Sequence, residues 1–434
     1  MLRKINFLVF FIGLSILSAC SQLPPDDNHV EEPVFSVKME NDKAVFLHNG
    51  EPFFINGVGG SYQLDKAAGY GVNAFRTWGI DNVGQDLTNA LQNNMYVMVG
   101  IWLSQNLADY QKDSYKNAIR AQVQYLLDNY KEHPNLMIWA LGNEVRWNAA
   151  SAPFLNELAT MIREQDKNHP VCAVVLHSQD DVNAIADYAP SVEIIGFNTY
   201  GGISVMKNLF MNSRWKGPYI VSEWGPNGHW EVQKTAWGAP IEPTSAAKKQ
   251  QYYNNYTQYI QNNDRCIGSF VFYWAQKQER TPTWYSMFLE QNVANLPVNG
   301  EACPTVEVME ELWTKREAVE KAPVVDGITM NGQAVMQTEG FAAGSTVSAI
   351  VNASDPRGYA LVYYWEILKE ATVLGEGGSY EPRPERIGEI ITGSSNVQNI
   401  VLPSQAGNYR LFVYVLNGRG MAGTSNIPFQ ITPR

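Results

Sequence analysis

Residues 136–144 read LMIWALGNE, an apolar run that ends on a glutamate. Longer segments with helical periodicity lie near it, most clearly at 114–131, 152–165 and 245–262. Short apolar runs that alternate with helical segments are the pattern of a parallel sheet covered by helices. Seven further runs rich in β-branched and aromatic residues complete the pattern: 53–57, 73–78, 96–103, 171–176, 194–200, 219–223 and 267–274.

Eight strand–helix units over roughly 270 residues match a (β/α)8 TIM barrel in number and size. We predict this barrel over residues 34–320, as an α/β domain. The alternative is a doubly wound sheet with extra strands, because counting strands does not establish closure.

After residue 320 the pattern changes to short alternating runs separated by turn signals, such as YYWEI at 363–367 and YRLFVYV at 409–415. Such runs predict a C-terminal all-β domain, an immunoglobulin-like or related sandwich, over residues 321–434. Its expected role is accessory, as a spacer, a cap on the barrel or a carbohydrate-binding module. We expect it to be separable, since few contacts need to cross such a boundary.

The N-terminal residues indicate export. An apolar stretch at 7–17 is too short to span a bilayer, and LSAC at 17–20 resembles the bacterial lipobox. Residues 1–19 are therefore predicted to be a lipoprotein signal peptide, with Cys20 as the lipid-modified residue; the alternative is an ordinary signal peptide with an incidental cysteine. Residues 20–33 are polar and proline-bearing, which is typical of a flexible tether. The expected location is the outer membrane or cell surface, with membrane contact through the lipid anchor.

The amino-acid composition indicates which partners and cofactors are not expected. The formal net charge is −11 and no Lys/Arg run occurs, so nucleic acid is not an expected partner. Six histidines without an H-E-x-x-H motif, and cysteines without C-x-x-C spacing, predict neither a metal centre nor a disulfide framework, and no cofactor is expected. The 12 tryptophans and 22 tyrosines suit a protein that stacks flat apolar ligand faces, such as sugar rings.

Two of the predicted strands end on carboxylates, the fourth at Glu144 and the seventh at Glu223. In a (β/α)8 barrel the carboxyl ends of the strands meet at one face, where active sites lie. Two carboxylates in that position are what glycoside cleavage requires, one as a proton donor and one as a nucleophile. The alternative for either glutamate alone is a salt-bridged structural acid.

Four segments carry a family resemblance. HPNLMIWALGNE at 133–144 resembles the acid/base signature of glycoside hydrolase family 2, a family of clan A retaining glycosidases, and PYIVSEWG at 218–225 is similar to its nucleophile strand. GVNAFR at 71–76 and IGFNTY at 195–200 resemble its second and sixth strands. The continuation TWGID at 77–81 is closer to the fungal β-1,3-glucanosyltransferases of family 72.

The resemblance implies a role for each of six residues: Glu144 as acid/base, Glu223 as nucleophile, Asn143 as ligand of the sugar 2-hydroxyl, Arg76 as the cation that keeps the nucleophile ionised, Tyr200 as its hydrogen-bond donor, and Trp274 as the floor of the sugar subsite. A neighbouring guanidinium lowers a carboxyl pKa by about 1 to 3 units, so Arg76 is expected to hold the pKa of Glu223 low while that of Glu144 is raised. The alternatives are a core position for Trp274 and a structural ion pair for Arg76.

The function predicted from these residues is a retaining β-glycoside hydrolase that acts on an oligo- or polysaccharide, such as a β-glucan, through a covalent glycosyl-enzyme. Its carboxyl groups are expected to lie about 5 to 5.5 Å apart. Two alternatives remain open: a transglycosylase with the same two glutamates, and a non-catalytic glycan-binding surface lipoprotein.

Overall fold

The computed structural model of the 434-residue chain describes residues 32–375 and 379–433. The predicted signal peptide, Cys20 and nearly all of the predicted tether lie outside these residues. Pro33–Arg434 form one compact unit. Within the described part of the chain, no helix has the length and apolar character needed to cross a membrane.

An antiparallel sheet that the sequence analysis did not separate from the barrel precedes it. Its strands are β1 (Phe35–Glu40), β2 (Lys43–His48) and β3 (Glu51–Pro52). Asn41 and Asp42, at φ of 51° and 63°, form the tight turn between β1 and β2, which suits their tolerance of left-handed conformations. Phe35 and Phe46 pack against the residues that fill the barrel, so the sheet covers one end of it.

Eight parallel strands then form a closed barrel in chain order: β4 (Ile55–Gly59), β5 (Ala74–Arg76), β6 (Tyr96–Ile101), β7 (Leu136–Leu141), β8 (Val171–Leu176), β9 (Ile194–Asn198), β10 (Tyr219–Trp224) and β11 (Cys266–Val271). The predicted (β/α)8 barrel is thus confirmed, and closure excludes the doubly wound alternative. The longest differences from the predicted strand ends are three residues each: β7 stops at Leu141 rather than at residue 144, and β11 stops at Val271 rather than at residue 274.

Helices surround the barrel: α1 (Leu64–Ala67), α2 (Val83–Gln92), α3 (Asp113–Tyr130), α4 (Ala152–Gln165), α5 (Gln179–Tyr188), α6 (Met206–Asn212), α7 (Ser245–Asn255) and α8 (Pro304–Thr314). A π-helical turn, Tyr256–Ile260, continues α7. Side chains of the strands alternate between two cores because successive residues point to opposite faces. In β7, Ile138 and Ala140 face the barrel interior, whereas Trp139 and Leu141 pack in the layer shared with the helices.

The C-terminal residues form a two-sheet sandwich, as predicted. Its strands are β12 (Val324–Met330), β13 (Phe341–Ala342), β14 (Thr346–Ser354), β15 (Val362–Lys369), β16 (Arg386–Gly393), β17 (Val397–Val401), β18 (Gly407–Leu416) and β19 (Ala422–Thr432). One sheet has the order β12-β14-β17 and the other β13-β19-β18-β15-β16. Alternate residues of β18, including Leu411, Val413 and Val415, enter the core between them.

Buried polar groups join the sandwich to the barrel. The Glu242 carboxylate, 6% exposed, accepts hydrogen bonds from Thr281, Thr283 and Lys248 of the barrel and from Asn426 Nδ2 of β19 at 2.6 Å. A buried carboxylate is tolerated only when such donors replace water. The sandwich therefore supplies one of the hydrogen bonds that the buried Glu242 carboxylate of the barrel requires.

A second set of contacts lies nearby. Arg383 of the sandwich pairs with the buried Glu290 of the barrel, Nε to Oε1, at 2.9 Å, and Arg410 Nη2 donates to the Pro240 carbonyl at 2.9 Å. Apolar residues of both domains form one further cluster: Leu289, Leu296, Val298, Cys303, Leu368, Phe412, Tyr414 and Ala422. The expectation that few contacts cross the boundary is wrong, because the interface is both apolar and ion-paired.

Removing the Asn426 amide should weaken this interface. Asn426→Ala deprives Glu242 of one donor, and it should lower the free energy of unfolding by roughly 1 to 3 kcal/mol in chemical denaturation. Asn399→Ala in β17, at an exposed asparagine of the same sandwich, is the matched control and should change it by less than about 0.5 kcal/mol. Equal stabilities of the two variants would show that the bond to Glu242 contributes nothing.

Candidate active site

The turn after β7 carries Asn143 and Glu144. Gly142 has φ of 72° and packs so closely that an added Cβ would lie 2.5 Å from Val145 Cγ2, so the sequence needs glycine there. Glu144 itself has φ of 57°, which is unusual for a residue with a side chain. Strained backbone of this kind occurs at functional sites, where the surrounding structure holds it.

Arg76, at the end of β5, is 1% exposed and connects the ends of other strands. Its Nη1 donates to the Ser222 carbonyl at 2.7 Å and to Asn198 Oδ1 at 3.0 Å, and its Nη2 donates to Asn143 Oδ1 at 2.7 Å. The same Nη1 lies 3.9 Å from Glu223 Oε2. The predicted pairing of Arg76 with Glu223 is thus present, and Arg76 also orients Asn143.

Asn198, at the end of β9, connects Glu144 and Asn143 to Ser222, the residue before Glu223. Its Nδ2 donates to Glu144 Oε1 at 3.0 Å and to Asn143 Oδ1 at 2.9 Å, while its Oδ1 accepts from Ser222 Oγ at 2.9 Å. The sequence analysis did not assign a role to Asn198 or Ser222. The sequence could have indicated both as site residues, since they lie near the ends of predicted strands, as the other site residues do.

The pKa of Glu223 differs from the expectation. Burial raises the pKa of this carboxyl to about 7; Arg76 lowers it, and the charge of Glu144 raises it further. The predicted low pKa is wrong for this structure because the cost of desolvation exceeds the attraction of a guanidinium 3.9 Å away. The nucleophile and acid/base roles must therefore be assigned from the surroundings of the two glutamates. Glu223 is buried beside Arg76, whereas Glu144 is half-buried and open to solvent.

Aromatic rings form a wall around the glutamates. Tyr200 packs edge-on against Phe272, Tyr285 and Trp230, with centroid distances of 6.0, 5.5 and 5.7 Å. Burial raises the pKa of the Tyr200 phenol well above its usual range, and the nearby charge of Glu223 raises it further. The Tyr200 hydroxyl therefore stays protonated at neutral pH, but it makes no hydrogen bond to Glu223 among the described residues, so its role as hydrogen-bond donor stays a prediction.

Trp274 does not form the floor of the site. Its indole is fully buried, with ring centroids of Phe288 and Trp313 at 5.0 and 6.4 Å, in the layer between strands and helices. The prediction failed because β11 ends at Val271, three residues earlier than expected. Phe272 takes the wall position instead, 6.0 Å from Tyr200 by ring centroids.

Charged residues surround Glu279 in the loop after β11. Glu279 Oε2 lies 3.4 Å from Lys277 Nζ, and its Oε1 lies 3.8 Å from His229 Nε2. Burial raises the pKa of Glu279, and the charge of Glu279 in turn raises that of Glu223. The next residue, Arg280, donates its backbone N–H to Glu381 of the sandwich at 2.7 Å. The C-terminal domain therefore helps to hold a loop that acts electrostatically on the site.

Residues 78–278 match the family model "Glycosyl hydrolases family 2, TIM barrel domain". The predicted resemblance is confirmed over this range, and the matched segment contains the two glutamates, Asn143 and Tyr200. The similarity of residues 77–81 to family 72 stays a prediction. No curated protein matches the chain.

Solved structures resemble the chain in fold. The beta-glucuronidase of Faecalibacterium prausnitzii has a TM-score of 0.50 at 14% identity, over 65% of this chain and 52% of that one. The family 2 beta-galacturonidase of Eisenbergiella tayi, bound to galacturonate, has a TM-score of 0.48 at 14% identity, over 65% and 54%. The beta-glucuronidase of Bacteroides uniformis has a TM-score of 0.47 at 13% identity, over 92% and 48%. The chain spans about half the length of these proteins.

The raised pKa of Glu223 predicts a pH-dependent stability difference. A carboxyl whose pKa rises from 4.5 to about 7 on folding stabilises the fold below pH 4.5, and that stability is lost as the pH rises through about 7. The free energy of unfolding of Glu223→Gln, relative to wild type, should therefore increase by roughly 3 kcal/mol between pH 4.5 and pH 8. Denaturant titrations at both pH values measure this change.

Glu132→Gln, at an exposed glutamate before β7, is the control and should follow wild type at both pH values. A stability difference between Glu223→Gln and wild type that does not vary with pH would contradict a raised pKa at Glu223.

Proposed function

We propose that the protein is a retaining β-glycoside hydrolase. The observation that carries the proposal is the linkage of two strand-end glutamates: Glu144 accepts a hydrogen bond from Asn198, Asn198 accepts one from Arg76, and Arg76 forms an ion pair with Glu223 at 3.9 Å. One glutamate is accessible, as a proton donor to a leaving group must be, and the other is buried beside a cation. This division of environments matches the two roles in retaining glycoside cleavage.

In the proposed reaction Glu144 protonates the glycosidic oxygen while ionised Glu223 attacks the anomeric carbon and forms a glycosyl ester. Glu144, now a carboxylate, then removes a proton from the water that breaks this ester. The proposal requires a carboxyl separation of about 5 to 5.5 Å, with no room for a water between nucleophile and sugar. Because Glu223 must be ionised to attack, activity should decline as the pH falls below about 7.

Asn143 is positioned to bind the sugar. Its Oδ1 accepts from both Arg76 and Asn198, which fixes the orientation of the amide. Its Nδ2 donates to no other residue in the described part of the chain and is available to a substrate hydroxyl. This arrangement supports the role of a 2-hydroxyl ligand, whose bond strengthens in the transition state.

We propose a β-linked oligo- or polysaccharide as substrate, with β-glucan as the first compound class to test. Trp230, which is 55% exposed and packs against Tyr200, offers an apolar face of the kind on which pyranose rings pack. A screen of aryl β-glycosides and β-linked oligosaccharides identifies the sugar. Products longer than the starting oligosaccharide would indicate transglycosylation, and binding without turnover would indicate a glycan-binding protein.

Replacement of Glu223 and replacement of Glu144 should have different effects on turnover. Glu223→Ala should abolish turnover, and azide should restore it with formation of the inverted glycosyl azide, since azide then replaces the nucleophile. Glu144→Ala should retain the first step on aryl glycosides, because a phenolate leaves without a proton, while oligosaccharide cleavage falls by roughly 100-fold or more. Proton NMR of the first product should show retention of configuration by wild type. Inversion by wild type would defeat the assignment.

We also propose that the protein is a lipoprotein of the outer membrane or cell surface, anchored through Cys20. The support is the LSAC motif at 17–20 together with the polar residues that follow it. Cys20→Ala should move the protein out of the membrane fraction or block its maturation, as measured by fractionation and lipid labelling. Lipid-labelled protein in the membrane fraction of this variant would contradict the anchor.

A further inference from the structure

A groove of about 650 Å³ opens beside the catalytic glutamates, between the ends of β5 and β6 and the start of α3. Its volume falls within the range of small-molecule sites. Its apolar surface includes Trp78 and Trp102, and Trp102 is 46% exposed. An exposed tryptophan at a strand end is not explained by the core, since the barrel layers are filled by other residues.

Two residues of the groove contact residues of the candidate active site. Trp78 lines the groove, and its ring centroid lies 5.4 Å from the Arg76 guanidinium. Gln105, on the opposite wall, donates from Nε2 to the Asn143 carbonyl at 3.0 Å. A ligand in the groove therefore contacts the same residues that border the reacting sugar.

Polar side chains accompany the two indoles. Asp81 and Gln122 line the groove, and their side chains make no hydrogen bond to another residue in the described ranges 32–375 and 379–433. An apolar ring face bordered by such donors and acceptors matches a pyranose, whose C–H face is apolar and whose hydroxyls lie at its edge.

We infer that this groove is a second sugar-binding subsite, with Trp102 as its platform and Asp81 and Gln122 as hydroxyl ligands. The inference rests on the proposed function and makes it more specific: the substrate occupies at least two adjacent subsites and is a chain rather than a simple glycoside. The occupant is a neighbouring unit of the glycan being cleaved, because Trp78 and Gln105 of the groove contact Arg76 and Asn143 of the site.

The test compares substrates of different length. The long substrates are laminaritetraose and cellotetraose, which are β-1,3- and β-1,4-linked glucose tetrasaccharides. We expect Trp102→Ala to reduce kcat/KM on either tetrasaccharide at least roughly 10-fold more than it reduces kcat/KM on an aryl β-glucoside, since one stacked ring face is lost. Trp102→Phe should restore most of the difference, because it keeps an aromatic face. Tyr188→Ala removes an exposed aromatic of α5 and is the matched control, expected to behave as wild type on all substrates.

Calorimetric binding to Glu223→Gln separates this inference from the proposed function. Binding of a tetrasaccharide that weakens at least 10-fold when Trp102→Ala is added supports the subsite, even if wild type shows no turnover and the proposed hydrolysis fails. Equal losses on the short and the long substrate, or a tetrasaccharide affinity unchanged by Trp102→Ala, would overturn it. Absence of any tetrasaccharide binding would overturn it as well.

Discussion

The site depends on the hydrogen bonds that the buried guanidinium of Arg76 donates. Its hydrogen bonds reach Asn143 after β7, Asn198 at the end of β9 and Ser222 in β10, so one side chain fixes the relative positions of three strand ends. A charged group 1% exposed is tolerated only when such acceptors replace water. The closed barrel supplies them, because parallel strands bring their carboxyl ends to one face.

The same burial that makes Arg76 effective also sets the chemistry of Glu223. Desolvation raises the pKa of its carboxyl to about 7 in spite of the nearby cation, so the proposed nucleophile titrates close to neutral pH. An ionised carboxylate with little solvation is a reactive nucleophile, and its cost to stability is carried by the rest of the fold. The sandwich contributes to that support, since Glu381 holds the backbone beside Glu279, which acts on Glu223.

The strand pattern made the barrel predictable, because eight apolar runs separated by helical segments fit few other folds. The glutamates followed from their place at the ends of two such runs. Trp274 was misassigned because periodicity does not show where a strand stops, and the chain leaves β11 at Val271. The pKa of Glu223 could not be predicted either, since the balance between burial and a cation 3.9 Å away exists only in three dimensions. The interface around Glu242 was missed for the same reason, because its donors lie in three separate segments.

The most direct test of this account is the chemical identity of the residue that carries the sugar during turnover. The aryl glycoside that wild type cleaves is converted to its 2-deoxy-2-fluoro analogue with a good leaving group, which slows the second step and lets the intermediate accumulate. Peptide mass spectrometry should then find the added sugar on Glu223, within the peptide that contains β10. A label on Glu144, or inactivation without any covalent label, would contradict the assignment of Glu223 as the nucleophile.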